Sequence, residues 1–228
     1  MDTNCIKAWA IARSLHKGAN ALGLKFTKEN CIKPVLLNDK LISFGTSKGL
    51  VFTKQNLIIL HSKGFAFPEL RFLLSSPLYA FRKILTVKKI GYSLKSTKED
   101  KRFLTLLLGV GLEATSVYMN QNQLCSGIMG NDTGLVEFYL NGDERPIASL
   151  DKENGGKWRV VLNQPMKNPR VRITFKDIDI GIQSCLGQLN PQVSSSLGKY
   201  TIDGYLPLMD KIGYCARITG NELPILIT

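Results

Sequence analysis

The most regular alternation of apolar and polar residues runs from Gly134 to Ile182. Over residues 135–140, Val136, Phe138 and Leu140 alternate with neighbours of a different character, and this period of two predicts a strand with two unlike faces. The Asn141-Gly142 pair that follows suits a tight hairpin, because both residues tolerate positive φ. The same period predicts three more strands, over residues 145–150, 158–162 and 171–175.

Apolar positions after residue 175 change from odd to even numbers. Ile178, Ile180 and Ile182 continue the apolar set. A phase shift of one residue is typical of a β-bulge, which we place near Asp177. We therefore expect residues 134–182 to form a β-meander whose last strand continues beyond this bulge.

The first half of the chain shows helical spacing at two places. Apolar residues from Cys5 to Leu22 predict a helix that docks on a core, with a membrane-surface helix or an organelle-targeting helix as the alternatives. The triplet Ser75-Ser76-Pro77 predicts the start of a second helix, which runs to Ile90. Between these helices, short apolar segments separated by polar turns over residues 35–61 predict two hairpins.

Three further segments complete the predicted architecture. Residues 101–108 are apolar enough for either a helix, opened by a capping box at Ser96 and Glu99, or a buried strand. We expect a long polar loop over residues 183–199 and apolar segments in residues 200–228 that complete a sheet. The predicted class is α+β, with an antiparallel sheet or sandwich in the C-terminal half and two or three helices in a basic N-terminal half.

Charge divides the chain more sharply than hydrophobicity does. The 228 residues carry a formal net charge of +12, and all of this excess lies in residues 1–114, whereas residues 115–228 are neutral overall. We therefore predict a basic mixed α/β lobe over 1–114 and a neutral β-rich lobe over 115–228, or a single domain over 1–228. A concentrated positive charge indicates a polyanionic partner, either nucleic acid or an anionic membrane.

Bases are densest after the start of the second predicted helix. We predict that these lysine and arginine side chains bind phosphates of a nucleic acid. Nearby aromatic rings would stack on its unpaired nucleobases. The alternative is a solvated helix face with its aromatic residues in the core. The predicted anion-binding residues are Arg82, Lys83, Lys88, Lys89, Lys95, Lys98, Lys101 and Arg102. The predicted stacking residues are Tyr79, Phe81 and Tyr92.

Candidate chemistry elsewhere is sparse. The run from Gly109 to Ala114 matches the GxGxxA form of the dinucleotide fingerprint, so an enzyme that uses a nucleotide there is one alternative. Asp177 and Asp179 could form a carboxylate pair, although cross-strand charge pairing explains them as well. Five scattered cysteines and two histidines indicate no metal site, and we assign no catalytic residue and no cofactor.

The function expected from these patterns is that of a non-enzymatic binding protein. Its basic surface docks on nucleic acid, RNA rather than DNA, in the manner of small viral movement, matrix or RNA-binding proteins. The alternatives are a peripheral protein of anionic membranes and the nucleotide-using enzyme. We also expect self-association through the β-rich half. Unpaired cysteines and the absence of a signal peptide or a membrane-spanning run of about 20 apolar residues suggest an intracellular, cytoplasmic location.

Overall fold

The computed structural model describes residues 2–24, 31–45, 50–95, 100–166 and 168–224. These residues form two compact units, the first within residues 2–95 and the second within residues 100–224. Each unit combines helices with its own sheet, which confirms the predicted α+β class. The predicted capping box at Ser96 and Glu99 lies outside the described residues.

The first unit is built on a small antiparallel sheet with its second strand in the centre. Its described elements in chain order are α1 (Thr3–Ala21), β1 (Pro34–Leu36), β2 (Leu41–Phe44), β3 (Val51–Thr53), α2 (Lys54–Lys63), α3 (Leu70–Ser75) and α4 (Pro77–Leu94). Helix α1 packs against α2, α4 and the sheet. Because its apolar residues are buried there, α1 is the core-docking helix that was expected and not a membrane-surface helix.

Local signals explain where the helices of this unit begin. The Thr53 hydroxyl accepts a hydrogen bond from the Asn56 amide and caps α2, and Gly64 ends the helix with a φ of 72°. Helix α4 begins at Pro77, as predicted. The prediction of a strand within residues 57–60 is wrong, because these residues belong to α2. A short, continuously apolar run has no period that separates a helix from a strand.

The second unit contains a mixed sheet of five strands. Its described elements are α5 (Lys101–Gln121), α6 (Gln123–Met129), β4 (Gly134–Leu140), β5 (Ala148–Lys152), β6 (Arg159–Leu162), β7 (Val171–Phe175), α7 (Ile178–Cys185), α8 (Pro191–Ser196), β8 (Tyr200–Gly204) and α9 (Leu206–Glu222). The strand order is β6-β5-β4-β7-β8. Strands β4, β5 and β6 form the predicted antiparallel meander, whereas β7 returns to lie parallel to β4.

Helix α5 is the core helix of this unit. It packs against β5, β6, α6, α7 and α9, and 15 of its 21 residues are buried. Asp100 caps its first turn by accepting a hydrogen bond from the Phe103 amide at 2.7 Å. Among the described residues, α5 is also the one helix long and apolar enough to cross a bilayer, but most of it is buried within the protein. We therefore interpret it as the core of a globular unit.

Three predictions for the last third of the chain are wrong. There is no bulge at Asp177, because its carboxylate accepts a hydrogen bond from the Ile180 amide and caps α7. The loop expected over residues 183–199 contains α8, and most of the tail forms α9, with only β8 joining the sheet. Ala114, the predicted end of the basic lobe, lies inside α5. The compact units do not test whether either lobe folds alone, so the predicted division into two lobes stays a prediction.

Candidate functional site

Exposed large apolar side chains are frequent in residues 65–92 of the first unit. Phe67, Leu78 and Tyr92 each expose more than 70% of their area to solvent. Soluble proteins rarely expose large contiguous apolar patches unless a partner covers them. We call this the α3–α4 surface, and its members are Phe65, Phe67, Leu70, Leu74, Leu78, Phe81, Leu85 and Tyr92.

Helix α4 supplies half of this surface because it has two apolar sides. Of its 18 described residues, only Ala80, Lys83 and Ile90 are buried. Since an α-helix turns about 100° per residue, these three residues share one side of the helix. The same rotation brings together four exposed residues on the opposite side, the apolar stripe of α4: Leu78, Phe81, Leu85 and Tyr92.

Exposed bases lie along both edges of the apolar stripe. By the same rotation, Arg82 and Lys89 follow one edge while Lys88 and Lys95 follow the other, each row about 60° from the centre of the stripe. Long basic side chains can lay their methylene groups along apolar neighbours while the charged ends point away. The arrangement is therefore an apolar centre with a cationic border on either side.

The chain before α4 holds the rest of the surface in place. Asn56 Nδ2 donates to the Phe67 carbonyl oxygen at 2.9 Å, and the Glu69 amide donates to the Val51 carbonyl oxygen at 2.8 Å. These bonds fix the backbone of residues 67–69 to α2 and β3, while the rings of Phe65 and Phe67 make an edge-to-face contact. The apolar side chains are therefore presented by an anchored backbone.

Lys83 fastens α4 to the sheet of the first unit. Its side chain is fully buried, and Nζ donates to the Phe44 carbonyl oxygen at the end of β2, at 2.5 Å. Desolvation lowers the pKa of the Lys83 ammonium, and the nearby Cys31 thiol opposes this shift in part. A lysine predicted to bind phosphates is therefore a structural residue.

The seven described members of the predicted cluster of eight bases have different settings. Lys83 is buried, and Lys98 lies outside the described residues. Lys101 and Arg102 belong to the first turn of α5 in the second unit, where Lys101 Nζ lies 2.7 Å from the Asp143 carboxylate. The remaining four bases are Arg82, Lys88 and Lys89 of α4 and Lys95 at its C-cap, and the apolar stripe separates them into two rows.

The predicted stacking residues are exposed, but their setting differs from the one expected. Phe81 and Tyr92 belong to the apolar stripe, whereas Tyr79 is partly exposed about 130° from the centre of the stripe, near the buried side of α4. A binding groove for single-stranded nucleic acid needs a continuous basic track beside its aromatic rings. Here leucine side chains occupy the space between the two rows of bases.

The nucleotide-binding alternative is wrong for a separate reason. Gly109 and Ala114 both lie inside α5, so the run between them forms no turn in front of a helix N-terminus. A pyrophosphate needs the backbone amides that such a turn exposes. Within the described parts of the chain, no group of three or more His, Cys, Asp or Glu residues is placed to hold a metal ion.

A buried carboxylate in the second unit is the other notable polar feature. Glu137 on β4 accepts hydrogen bonds from the Tyr139 hydroxyl at 2.8 Å and from the Met166 amide at 3.0 Å. The Arg172 guanidinium lies over the Tyr139 ring at 4.7 Å. Burial, followed by the neighbouring Glu137, raises the pKa of Tyr139. Both carboxylate oxygens have partners within the chain, so Glu137 ties the β6–β7 connection to the sheet.

Comparisons with known proteins give structural neighbours only. No family model and no curated protein matches the sequence. Among solved structures, the sterol carrier protein domain 2 of Helicoverpa armigera is 20% identical, with a TM-score of 0.38 over 50% of this chain and 89% of that one. Sterol Carrier Protein 2 from Yarrowia lipolytica, in its apo form, is also 20% identical, with a TM-score of 0.36 over 58% of this chain and 98% of that one. These values do not establish a family.

The prediction of a nucleic-acid-binding protein is wrong. The physical reason for the correction lies in the site itself, since its seven described bases comprise one buried lysine, two residues of the second unit and four residues along opposite edges of an apolar stripe. The predicted nucleic-acid partner, RNA rather than DNA, is corrected with it.

Proposed function

We propose that the protein binds lipid by placing the α3–α4 surface on the boundary between lipid headgroups and hydrocarbon. The observation that carries this proposal is the apolar stripe of α4, which points away from the core and is bordered by bases. Interfacial helices combine an apolar face with lysine and arginine beside it. Full burial of one Leu or Phe side chain contributes about 1.5–3 kcal/mol, so four stripe residues supply several kcal/mol before the cost of association.

The charge of this segment favours lipid over a second copy of the chain. Residues 64–95 contain the bases Arg71, Arg82, Lys83, Lys88, Lys89 and Lys95 but a single acid, Glu69. Two copies joined through this surface would bring like charges together, which opposes association. A lipid headgroup region offers phosphate oxygens to the bases and hydrocarbon to the stripe, so it complements both parts of the surface.

This proposal differs from the anionic-membrane alternative that the charge of the chain suggested. That alternative required acidic lipid and used α1, which is buried in the first unit. Here the driving force is the transfer of apolar side chains out of water. Binding is therefore expected on vesicles of zwitterionic phosphatidylcholine that contain no acidic lipid.

Flotation with phosphatidylcholine vesicles tests the proposal. The wild type is expected to float with the vesicles, and Phe81→Ser with Leu85→Ser to lower the partition coefficient by roughly 100-fold, as the loss of two apolar side chains predicts. The matched control is Leu124→Ser with Leu197→Ser, which changes two leucines of similar exposure in the second unit and should leave flotation unchanged.

Three results would overturn the proposal. The first is a wild type that stays with the aqueous phase at every vesicle concentration. The second is equal flotation of the Phe81/Leu85 variant and the wild type. The third is a wild-type dimer that this variant converts to a monomer in sedimentation experiments, which would assign the surface to a second copy.

We also propose an intracellular, cytoplasmic location with a reducing environment. All five cysteines are described, and all five are free thiols. Cys125 and Cys215 are buried close together, with Cys215 Sγ 3.8 Å from the Cys125 carbonyl oxygen, and burial raises the pKa of both thiols. Unbridged cysteines are usual in reducing compartments. Thiol titration of protein extracted under denaturing, alkylating conditions should count five thiols, and a bridged pair would contradict this location.

A further inference from the structure

We infer that the lipid taken by the α3–α4 surface carries a phosphate group, which Arg82, Lys88, Lys89 and Lys95 bind. The inference rests on the proposed lipid binding and names the headgroup chemistry of that same site. Its basis is the placement of three of these bases on α4 and of Lys95 at its C-cap, outside the apolar stripe and outside the buried side of the helix.

The rotation of α4 sets the depth at which these bases would lie. When the apolar stripe points straight into hydrocarbon, a residue about 60° to either side of it points sideways, toward the level of the headgroups. Arg82 and Lys89 are seven residues apart, as are Lys88 and Lys95, so each row places two cations about 10 Å apart along the helix. Both edges of the stripe therefore present cations at similar depth.

The chemistry of the four side chains selects phosphate over sugar or hydroxyl headgroups. Ammonium and guanidinium groups donate strong hydrogen bonds to phosphate oxygens, and arginine can do so through two parallel bonds. Glu69, the acid of residues 64–95, lies at the N-cap of α3 and not on α4. The sequence of α4 itself contains no acidic residue.

The lipid phosphate also explains how the bases serve binding without a requirement for acidic lipid. Phosphatidylcholine carries a phosphate although its net charge is zero, and the methylene groups of lysine and arginine can follow the apolar stripe while their charged ends reach that phosphate. A galactolipid with the same acyl chains offers the same hydrocarbon without the phosphate. The two lipids therefore separate the contribution of the bases from that of the stripe.

The experiment compares flotation on phosphatidylcholine vesicles with flotation on digalactosyldiacylglycerol vesicles of matched chain length. The wild type is expected to bind the phosphatidylcholine vesicles at least 10-fold more tightly. The variant Arg82→Gln, Lys88→Gln, Lys89→Gln, Lys95→Gln should bind both vesicles equally, at the galactolipid level of the wild type. The control Arg145→Gln, Lys157→Gln, Lys176→Gln, Arg217→Gln removes the same charge from exposed positions of the second unit and should keep the preference.

The outcomes distinguish this inference from the proposal beneath it. Equal binding of the wild type to both vesicles would overturn the inference and leave lipid binding in place. Loss of the preference in the control variant would also overturn it, because net charge would then replace the α4 rows as the cause. Failure to bind either vesicle would overturn the proposed function.

Discussion

Alanine at Gly204 is expected to lower the free energy of unfolding of the second unit by at least about 3 kcal/mol. Gly204 ends β8 with a φ of 112°, a conformation that L side chains rarely adopt. A Cβ atom there would overlap the Arg170 carbonyl oxygen. That oxygen accepts a hydrogen bond from the Tyr205 amide at 3.0 Å, and Val171 next to it pairs with Gly204 in the sheet. Relief of the overlap would therefore separate β7 from β8.

Two other glycines are the controls for Gly204→Ala. Gly198 has a φ of 65° but no atom within 4 Å of the place that an added methyl group would take, so Gly198→Ala should cost only about 1 kcal/mol, from its backbone conformation. Gly213 lies inside α9 with open space beside it, so Gly213→Ala should be neutral or stabilising by up to about 1 kcal/mol. Urea denaturation followed by circular dichroism measures all three. Equal costs at Gly204 and Gly198 would contradict the predicted overlap.

Alanine at Lys83 is expected to destabilise the first unit by about 2–4 kcal/mol at pH 7. The change leaves a cavity under α4 and removes the donor to the Phe44 carbonyl oxygen. Lys83→Met keeps most of the volume and also removes a desolvated charge, so it should cost far less. Lys88→Ala, at an exposed position of the same helix, should change stability by no more than about 0.5 kcal/mol.

The pH dependence of these variants isolates the buried ammonium. Because burial lowers the pKa of Lys83 in the folded state, the unfolded chain holds this proton to higher pH. Between the lowered pKa and the ordinary value of about 10.4, the unfolded state binds more protons, so the stability of the wild type rises with pH relative to Lys83→Met. Below the lowered pKa both states are protonated and the difference is constant. Denaturation at pH 7 to 10 measures this difference, and a constant difference throughout would contradict a lowered pKa.

Patterns with a local cause were predicted correctly from the sequence. The β4–β5–β6 meander needs only the period of two and short turns between neighbouring strands. The start of α4 needs only Pro77 at the first helical position, because the Ser76 side chain makes no capping hydrogen bond. The parallel pairing of β7 with β4 was missed, because it joins strands that are not adjacent in sequence and therefore leaves no local pattern.

The burial of α5 explains why its secondary structure could not be predicted from the sequence. The sequence of residues 101–108 did not decide between a helix and a strand, because a helix that is apolar all round shows no period.

A second error concerns Asp177. Its position at the phase shift predicts a bulge, although aspartate is also a good N-cap residue. The alternation of Ile178, Ile180 and Ile182 favours a strand, whereas the Asp177 cap starts a helix over the same residues.

By itself, the sequence determined the α+β class, the basic character of the first half and the helix that carries the candidate site. Only the tertiary structure decided which side of α4 faces the core, because the helix has apolar residues on both sides and packs against α1 with Ala80, Lys83 and Ile90 buried. That choice buried one lysine and left Leu78, Phe81, Leu85 and Tyr92 in solvent. The physical reason is that burial depends on what the rest of the chain places against a helix, which its own periodicity does not record.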